Sequence, residues 1–377
     1  MGFALTGARI FTGETFIDGH AVVVDDARIA AVMPDSQVDG GIERRDLGGG
    51  LLAPGFIDVQ VNGGGGALLN DDPTIETVRT IATSHRRFGT VGLLPTVITD
   101  APAVIRKAVE SVTGAIAESV PGVLGIHIEG PFLDAARKGA HAARFIRQME
   151  DADADEIAGF AAKCPVMLTL APNRVGPALV RKLAQAGVMV SLGHSDATYA
   201  EARQALDAGA RAVTHLYNAM SQMTGREPGM VGAALSDPDP FLGIIADGHH
   251  VHHAALRVAF ATKPSTRMML ITDAMPTAAG GPDSFALQGR NVTRKDGRLS
   301  LADGTLAGSD LTMDAAVRHC VEVLGLDLGE VLRMASSTPA SFLRRGHELG
   351  RIQPGYLASL VLLGEDLRVK ATWIDGQ

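Results

Sequence analysis

The 377-residue sequence predicts an α/β fold: a (β/α)8 TIM-type barrel carrying a small β-sandwich domain built from both chain termini. Three observations predict it. From residue 50 onward, short apolar runs alternate eight times with amphipathic stretches, within the ~250 residues typical of such barrels. Both ends of the chain read as short strands with no long helix. The composition, 46% hydrophobic with 4% aromatic residues and 44 Gly, suits many tight turns and a core of small and branched aliphatics, and it excludes disorder and coiled coil.

In chain order, residues 1 to 49 place strands at Ala8 to Phe11, Ala21 to Val24 and Ile29 to Val32, separated by Thr12-Gly13, Asp25-Asp26 and Pro34-Asp35. The eight barrel runs are Leu51 to Val61, Val91 to Ile98, Val123 to Ile128, Val166 to Leu170, Val188 to Leu192, Ala212 to His215, Leu242 to Ala246 and Met268 to Thr272. Between them, Thr74 to Phe88, Ala103 to Val120, Pro177 to Ala186, Tyr199 to Ala208 and His253 to Thr262 repeat apolar residues at three and four, the helical period. Strand followed by helix, repeated, requires a parallel sheet. The stretch Ser284 to Ala302, broken at Lys295-Asp296-Gly297, reads as a β-hairpin inserted after the eighth strand, and helices return at Leu311 to Leu324 and Leu328 to Ala335. The tail, with Leu360 to Leu363 and Val369 to Ile374, is strand-like again. The expected division is therefore a small β domain of residues 1–52 and 348–377 and a barrel of residues 53–347.

A formal net charge of −8 argues against nucleic acid as a partner and favours a small molecule. Cys164 and Cys320 stand far apart with no Cys-x-x-Cys pattern. The first residues lack the basic-then-apolar build of a signal peptide, and no apolar run approaches the ~18 residues of a membrane span. The expectation is a soluble, cytoplasmic protein with no membrane partner.

Barrel chemistry collects at the C-terminal ends of the strands. Read in order, those ends carry Asp58-Val59-Gln60-Val61-Asn62, Glu129-Gly130-Pro131, His194-Ser195, His215-Leu216-Tyr217-Asn218, Asp247-Gly248-His249-His250 and Thr272-Asp273-Ala274. Any one Glu or His after a strand is ordinarily a capping or surface group. Glu129, His194 and His215 together supply one carboxylate and two imidazoles, the donor set of a catalytic zinc-type site with a fourth position open to water. Asp273 is either a cap for the following segment or a carboxylate that takes a proton from that water. The tract His249-His250-Val251-His252-His253 invites a metal reading, but adjacent His side chains on a regular backbone cannot all face one ion, and the segment suits an anionic substrate better. The run Gly63 to Gly66 is not followed by Lys-Ser/Thr, so it reads as a flexible rim rather than a nucleotide loop.

Seven segments taken together carry a family resemblance: Ala53-Pro54-Gly55-Phe56-Ile57-Asp58, His127-Ile128-Glu129-Gly130-Pro131-Phe132, Lys138-Gly139-Ala140-His141, Gly193-His194-Ser195, Thr214-His215-Leu216-Tyr217-Asn218-Ala219-Met220, Gly225-Arg226-Glu227-Pro228-Gly229 and Gly308-Ser309-Asp310-Leu311-Thr312-Met313. Over nearly its whole length the chain resembles the N-acetylglucosamine-6-phosphate deacetylases of the amidohydrolase superfamily. The first segment marks the superfamily; the later ones, in this order, mark the deacetylases. The resemblance implies hydrolysis of N-acetyl-D-glucosamine 6-phosphate to D-glucosamine 6-phosphate and acetate, in a homodimer of amino-sugar catabolism. It implies Glu129, His194 and His215 as ligands of one divalent metal ion per subunit, zinc first, with iron, manganese and cobalt also suited. It implies Asp273 as general base and acid and His141 as a catalytic hydrogen-bond donor. Substrate contacts carried over are Ala140, His141, Asn218, Ala219, Arg226, Asp247, Gly248, His249, His250, Leu306, Ala307 and Gly308, with Arg226 and His250 reaching the neighbouring subunit's site.

One departure matters. Many superfamily members carry His-x-His after the first barrel strand to help hold a second metal, whereas Gln60-Val61-Asn62 stands here. Neutral amides are weak ligands, so Gln60 and Asn62 mark a vacant second-metal position and a single-ion enzyme. Two rival readings are an amidohydrolase of cyclic amides or N-acyl amino acids, which would need no anion clamp at Arg226, and a non-catalytic sugar-phosphate sensor, which would not need Asp273.

Overall fold

The computed structural model describes residues 2–377. Eight parallel strands pair in sequence order: β1 (Phe56–Val61), β2 (Thr90–Ile98), β3 (Ile126–Glu129), β4 (Val166–Leu170), β5 (Met189–Leu192), β6 (Ala212–Val213), β7 (Phe241–Ile244) and β8 (Met268–Leu270). Every residue in them is buried, because helices cover one face and the barrel interior the other; this is why the strands read as continuous apolar runs rather than alternating ones. The ring closes beyond the end of β8, through a parallel bridge between Val61 and Ala274 and a hydrogen bond from the Asp273 amide to the Gln60 carbonyl at 3.0 Å. That closure places the first and last strand ends side by side. The fold is a (β/α)8 barrel.

Helix boundaries follow local chemistry. Thr74 caps Ile75–Arg86 by accepting the Thr77 amide, and Thr198 and Glu201 cap Tyr199–Asp207 reciprocally. Two helices not singled out by periodicity complete the ring. Asp151–Ala161 is rich in Ala and Asp, and Gly229–Ser236 is buried on nearly every side, so neither carries a sharp apolar stripe.

Both termini form the small β-sandwich. One sheet orders Arg28–Pro34, His20–Asp25, Phe3–Thr6 and Glu43–Asp46; the other orders Val369–Trp373, Leu360–Leu363, Leu51–Pro54, Arg9–Phe11 and Phe16–Ile17. Leu5, Ile10, Val22, Leu52 and Leu360 pack together in its core. The expected run Leu51 to Val61 is thus two strands in two sheets. It divides at Gly55, whose amide bonds Ser359 while the next amide bonds Gly89. A Cβ at Gly55 would lie 2.3 Å from a Val91 methyl, so the crossing requires glycine.

Two further expectations change in detail. The segment 284–302 forms three strands, Ser284–Leu287, Arg290–Lys295 and Arg298–Ser300, because Gln288-Gly289 also turns the chain with two positive φ angles, as Asp296-Gly297 does. Its apolar side chains Leu287, Val292 and Leu299 pack with Leu68, Ile98 and Met275 into a separate cluster at the barrel mouth. The expected helix Leu311 to Leu324 begins at Met313 and widens to a π-helix over His319–Val323.

Candidate active site at the barrel mouth

Glu129 ends β3, His194 lies two residues beyond β5 and His215 two beyond β6. Parallel strands deliver all three to one end, and their polar atoms meet. Glu129 Oε1 lies 3.2 Å from His194 Nε2 and 3.0 Å from His215 Nε2, and the two imidazole nitrogens are 3.0 Å apart. The three residues are 2%, 5% and 4% exposed, so water cannot satisfy them from outside. His194 and His215 have positive φ (46° and 32°), as does Asp273 (52°). Non-glycine residues in the left-handed region cost about 1–3 kcal/mol each and persist where surrounding structure holds them for a function.

This donor set fits a divalent cation. The Nδ1–H of His194 donates to the Arg137 carbonyl at 2.9 Å, which leaves Nε2 with its lone pair. That lone pair faces a carboxylate oxygen and a second imidazole nitrogen. Three electron-rich atoms facing one another at the floor of a pocket repel unless a positive charge sits among them. His141 approaches from the other side, its Nε2 4.0 Å from Glu129 Oε2, and with Glu129 and His194 it keeps one donor atom within 4.8 Å of theirs. His194 and His215 share Oε1 whereas His141 faces Oε2, so the tighter convergence is Glu129, His194 and His215.

Asp273 stands beside this point. Asn62 Nδ2 donates to its Oδ1 at 2.7 Å, and Gln60 Nε2 bridges Asp273 Oδ1 and Glu129 Oε1, each at 3.2 Å. Gln60 and Asn62 act here as donors to carboxylates, while Gln60 Oε1 and Asn62 Oδ1 are buried without a hydrogen-bond partner. Burial, followed by the Glu129 charge, raises Asp273 to about 6. Burial also works against ionised Glu129, but a proton on the facing imidazole nitrogens, in place of a cation, outweighs it and holds Glu129 well below the usual carboxylate range. His141 falls well below the ordinary imidazole value through burial and the neighbouring His194, so it is neutral. Its Nδ1 is 2.8 Å from Thr99 Oγ1, leaving Nε2 to the pocket.

The cavity above these groups holds about 390 Å³ and is lined by Glu129, His141, His194, His215, His250 and Asp273 at its polar end. The comparisons with known proteins agree with this architecture. Residues 51–377 match the amidohydrolase family, and residues 2–52 match the NagA composite domain. The chain belongs to the amidohydrolase family. It is 40% identical to N-acetylgalactosamine-6-phosphate deacetylase of Shewanella sp. (strain ANA-3), over 98% of this chain and 94% of that protein. It is 34% identical to N-acetylglucosamine-6-phosphate deacetylase of Haemophilus influenzae, over 100% and 99%. The crystal structure of N-acetylglucosamine-6-phosphate deacetylase from Pasteurella multocida superposes with a TM-score of 0.97 at 34% identity, covering 100% of this chain and 99% of that one.

In this amidohydrolase the sequence-derived substrate residues divide. Ala140, His141, Asn218, Ala219, His250, Leu306 and Gly308 line the cavity. Asp247 stands behind His250, accepting its Nδ1–H at 2.6 Å, and burial opposing that bond still leaves Asp247 at about 2. Gly248 and His249 are exposed beside the cavity, and Ala307 is buried behind its wall. Arg226 is exposed on the loop after Ser221 and does not line this chain's cavity. The structure adds residues that strand-end reading missed: Ile98, Arg137, Met275, Leu287 and Thr305. Leu287 comes from the inserted sheet, whose Gln288 amide donates to the Thr99 carbonyl at 2.7 Å and whose Arg290 bonds the Ala140 carbonyl. Ile98 ends β2 and is open to that reading, whereas position along the barrel strands carries no signal for Leu287 and Thr305.

Proposed function

We propose that this amidohydrolase removes the acetyl group from N-acetyl-D-glucosamine 6-phosphate, giving D-glucosamine 6-phosphate and acetate. The observation that carries this reading is the convergence of Glu129, His194 and His215 beside Asp273 at the mouth of the barrel. A second reading, the same hydrolysis of the C4 epimer N-acetyl-D-galactosamine 6-phosphate, is favoured by the 40% identity to the Shewanella enzyme of that name.

Glu129, His194 and His215 hold one divalent cation, zinc before iron, manganese or cobalt, since two imidazoles and a carboxylate are a common zinc set. When bound, the cation supplies Lewis acidity to water and to the amide carbonyl. The chain's own groups do the rest. Asp273, oriented by Asn62 and Gln60, takes the proton of the attacking water and returns it to the departing amine, which leaves poorly as an anion. His141, held at Nδ1 by Thr99 Oγ1, donates from Nε2 to the carbonyl oxygen as negative charge develops there, in the tautomer for which the Thr99 hydroxyl turns from the Glu129 carbonyl to Nδ1. Ala140, Asn218, Ala219, His250 and the segment Leu306, Ala307 and Gly308 bind the sugar phosphate, and the Asp247 to His250 turn orients His250. Gln60 and Asn62 occupy the place of a second metal site without serving as ligands.

The active unit is a homodimer in which Arg226, with His250, contributes to the neighbouring subunit's phosphate site. Supporting this, Arg226 lies on an exposed loop that also carries Met223, an apolar side chain 56% exposed. The enzyme acts in the cytoplasm in amino-sugar catabolism; no helix among the described residues is long and apolar enough to cross a membrane, and both cysteines are buried free thiols. The domain limits are residues 1–52 with 348–377, and 53–347. The deciding experiment incubates purified, metal-analysed protein with each epimer and assays acetate with and without a chelator. Chelator-sensitive acetate release from the glucosamine epimer supports the first reading, release from the galactosamine epimer alone the second, and release from neither removes both.

A further inference from the structure

The opposite end of the barrel carries a second concentration of charge. There the starts of β5 to β8 open onto a groove of about 1060 Å³. Arg211 directly precedes β6, Arg267 directly precedes β8, and Arg344 follows the short helix Ser337–Phe342 into the same groove. None of the three has a carboxylate within 4.0 Å among the described residues. Two of the groove's carboxylates, Asp207 and Asp237, are occupied by Arg203. Asp239 is the remaining one. Arg211 and Arg267 both lie over the Phe241 ring, at 5.2 and 4.7 Å from its centroid, which fixes two guanidinium groups on one aromatic platform. Arg211 keeps carbonyl partners at Phe342 and Ser341, whereas Arg267 reaches only the carbonyl of its own neighbour Thr266. Burial, then Arg344, then Arg267 weaken the hold of Arg211 on its proton, so the cluster is one of mutual repulsion.

The backbone at Arg344 gives an independent sign. Its amide bonds the Ser341 carbonyl at 3.1 Å, the Arg345 amide bonds Ala340 at 2.8 Å, and its φ is +60°. This is the helix-ending turn whose left-handed residue is ordinarily glycine. Glycine fills it at Gly187 and Gly209, and the small Ser119 fills it after Pro102–Ala117, each closing its helix with the same pair of bonds. Here a long cationic side chain occupies a position that glycine would take with less strain, and it lines the same groove as two other arginines without a carboxylate partner.

We propose that this groove is a second anion site, distinct from the catalytic mouth, in which Arg211, Arg267 and Arg344 bind a phosphate-type dianion, either free or as the phosphoryl group of a sugar phosphate. Three guanidinium groups lining one groove can donate to the oxygens of a phosphate, and the anion relieves their repulsion.

The test is calorimetric titration of inorganic phosphate and, separately, of glucosamine 6-phosphate into the metal-loaded protein, its Arg344→Gly variant and its Arg267→Gln variant. Glycine suits the backbone at 344, so Arg344→Gly is expected to fold with an unchanged or higher Tm in phosphate-free buffer and to keep its acetate-releasing activity. Both variants are expected to bind phosphate at least about tenfold more weakly than the wild-type chain. The tighter of the two probes identifies the source of the phosphoryl group. Equal phosphate affinity in the wild-type chain and both variants overturns the proposal, as does wild-type binding that Arg226→Ala alone abolishes.

Discussion

Asn62 donates its side-chain amide to Asp273 Oδ1 at 2.7 Å, across the seam where the first and last strands of the barrel meet. A residue pair 211 positions apart in sequence thereby fixes the direction of a buried carboxylate at about 6, raised by burial and by Glu129. The amide at the proposed vacant second-metal position holds the proposed base.

Asn62→Ala removes a donor to ionised Asp273, which disfavours the ionised form and raises its pKa. The acidic limb of the kcat profile is expected to move to higher pH, with kcat reduced roughly 10–100-fold, the usual cost of losing an orienting partner. An unchanged limb, measured by acetate release across pH, would show that the bond does not set Asp273.

Asp273→Asn keeps the shape but cannot carry the proton. Acetate release is expected to fall by at least roughly 10²–10⁴-fold while metal content and product binding stay near the wild-type values. Retained turnover in the metal-loaded variant rules out Asp273 as base and acid.

Thr99 ties the inserted sheet to the site, since Gln288 bonds its carbonyl and His141 meets its hydroxyl. Thr99→Val removes the hydroxyl that holds His141 Nδ1 and should lower kcat roughly tenfold with little change in KM, because the proposed Nε2 interaction strengthens only as charge develops. Thr99→Ser should restore activity. A KM effect without a kcat effect would place His141 in ground-state binding instead.

Asp58 sits below the site, accepting the Thr272 hydroxyl at 2.5 Å, and burial raises it to about 7. Its unfolded value is about 3.9, so the native state binds the extra proton between these limits. Its contribution to stability is full below about pH 4 and is lost as pH rises through about 7. Asp58→Asn should flatten that part of the dependence, read as the difference between variant and wild-type urea midpoints at about pH 5 and pH 8. Parallel midpoints would contradict the assignment.

Arg226 lies outside its own chain's cavity. If it serves the neighbouring subunit, Arg226→Ala should raise KM for the phosphorylated sugar roughly tenfold, the cost of one charge-assisted hydrogen bond, and leave the unphosphorylated analogue unaffected. Mixing Arg226→Ala with inactive Asp273→Asn should then recover activity in mixed dimers, provided subunits exchange; equal losses on both sugars would remove the phosphate role.

The sequence by itself determined the barrel and set the proposed working groups at its strand ends. Burial on both faces makes each parallel strand an apolar run, and Glu129, His194, His215 and Asp273 stand at a strand's last residue or within three residues beyond it. These are local properties: period, turn residues and the point at which a strand stops. Tertiary structure alone decided which atoms meet. Closure of the ring brought Gln60 and Asn62 to Asp273, the inserted sheet supplied Leu287 and the latch at Thr99, and two strand starts and one helix end brought Arg211, Arg267 and Arg344 to one groove at the far end. Such contacts depend on barrel register and on side chains from distant segments, which leave no periodic trace in the chain.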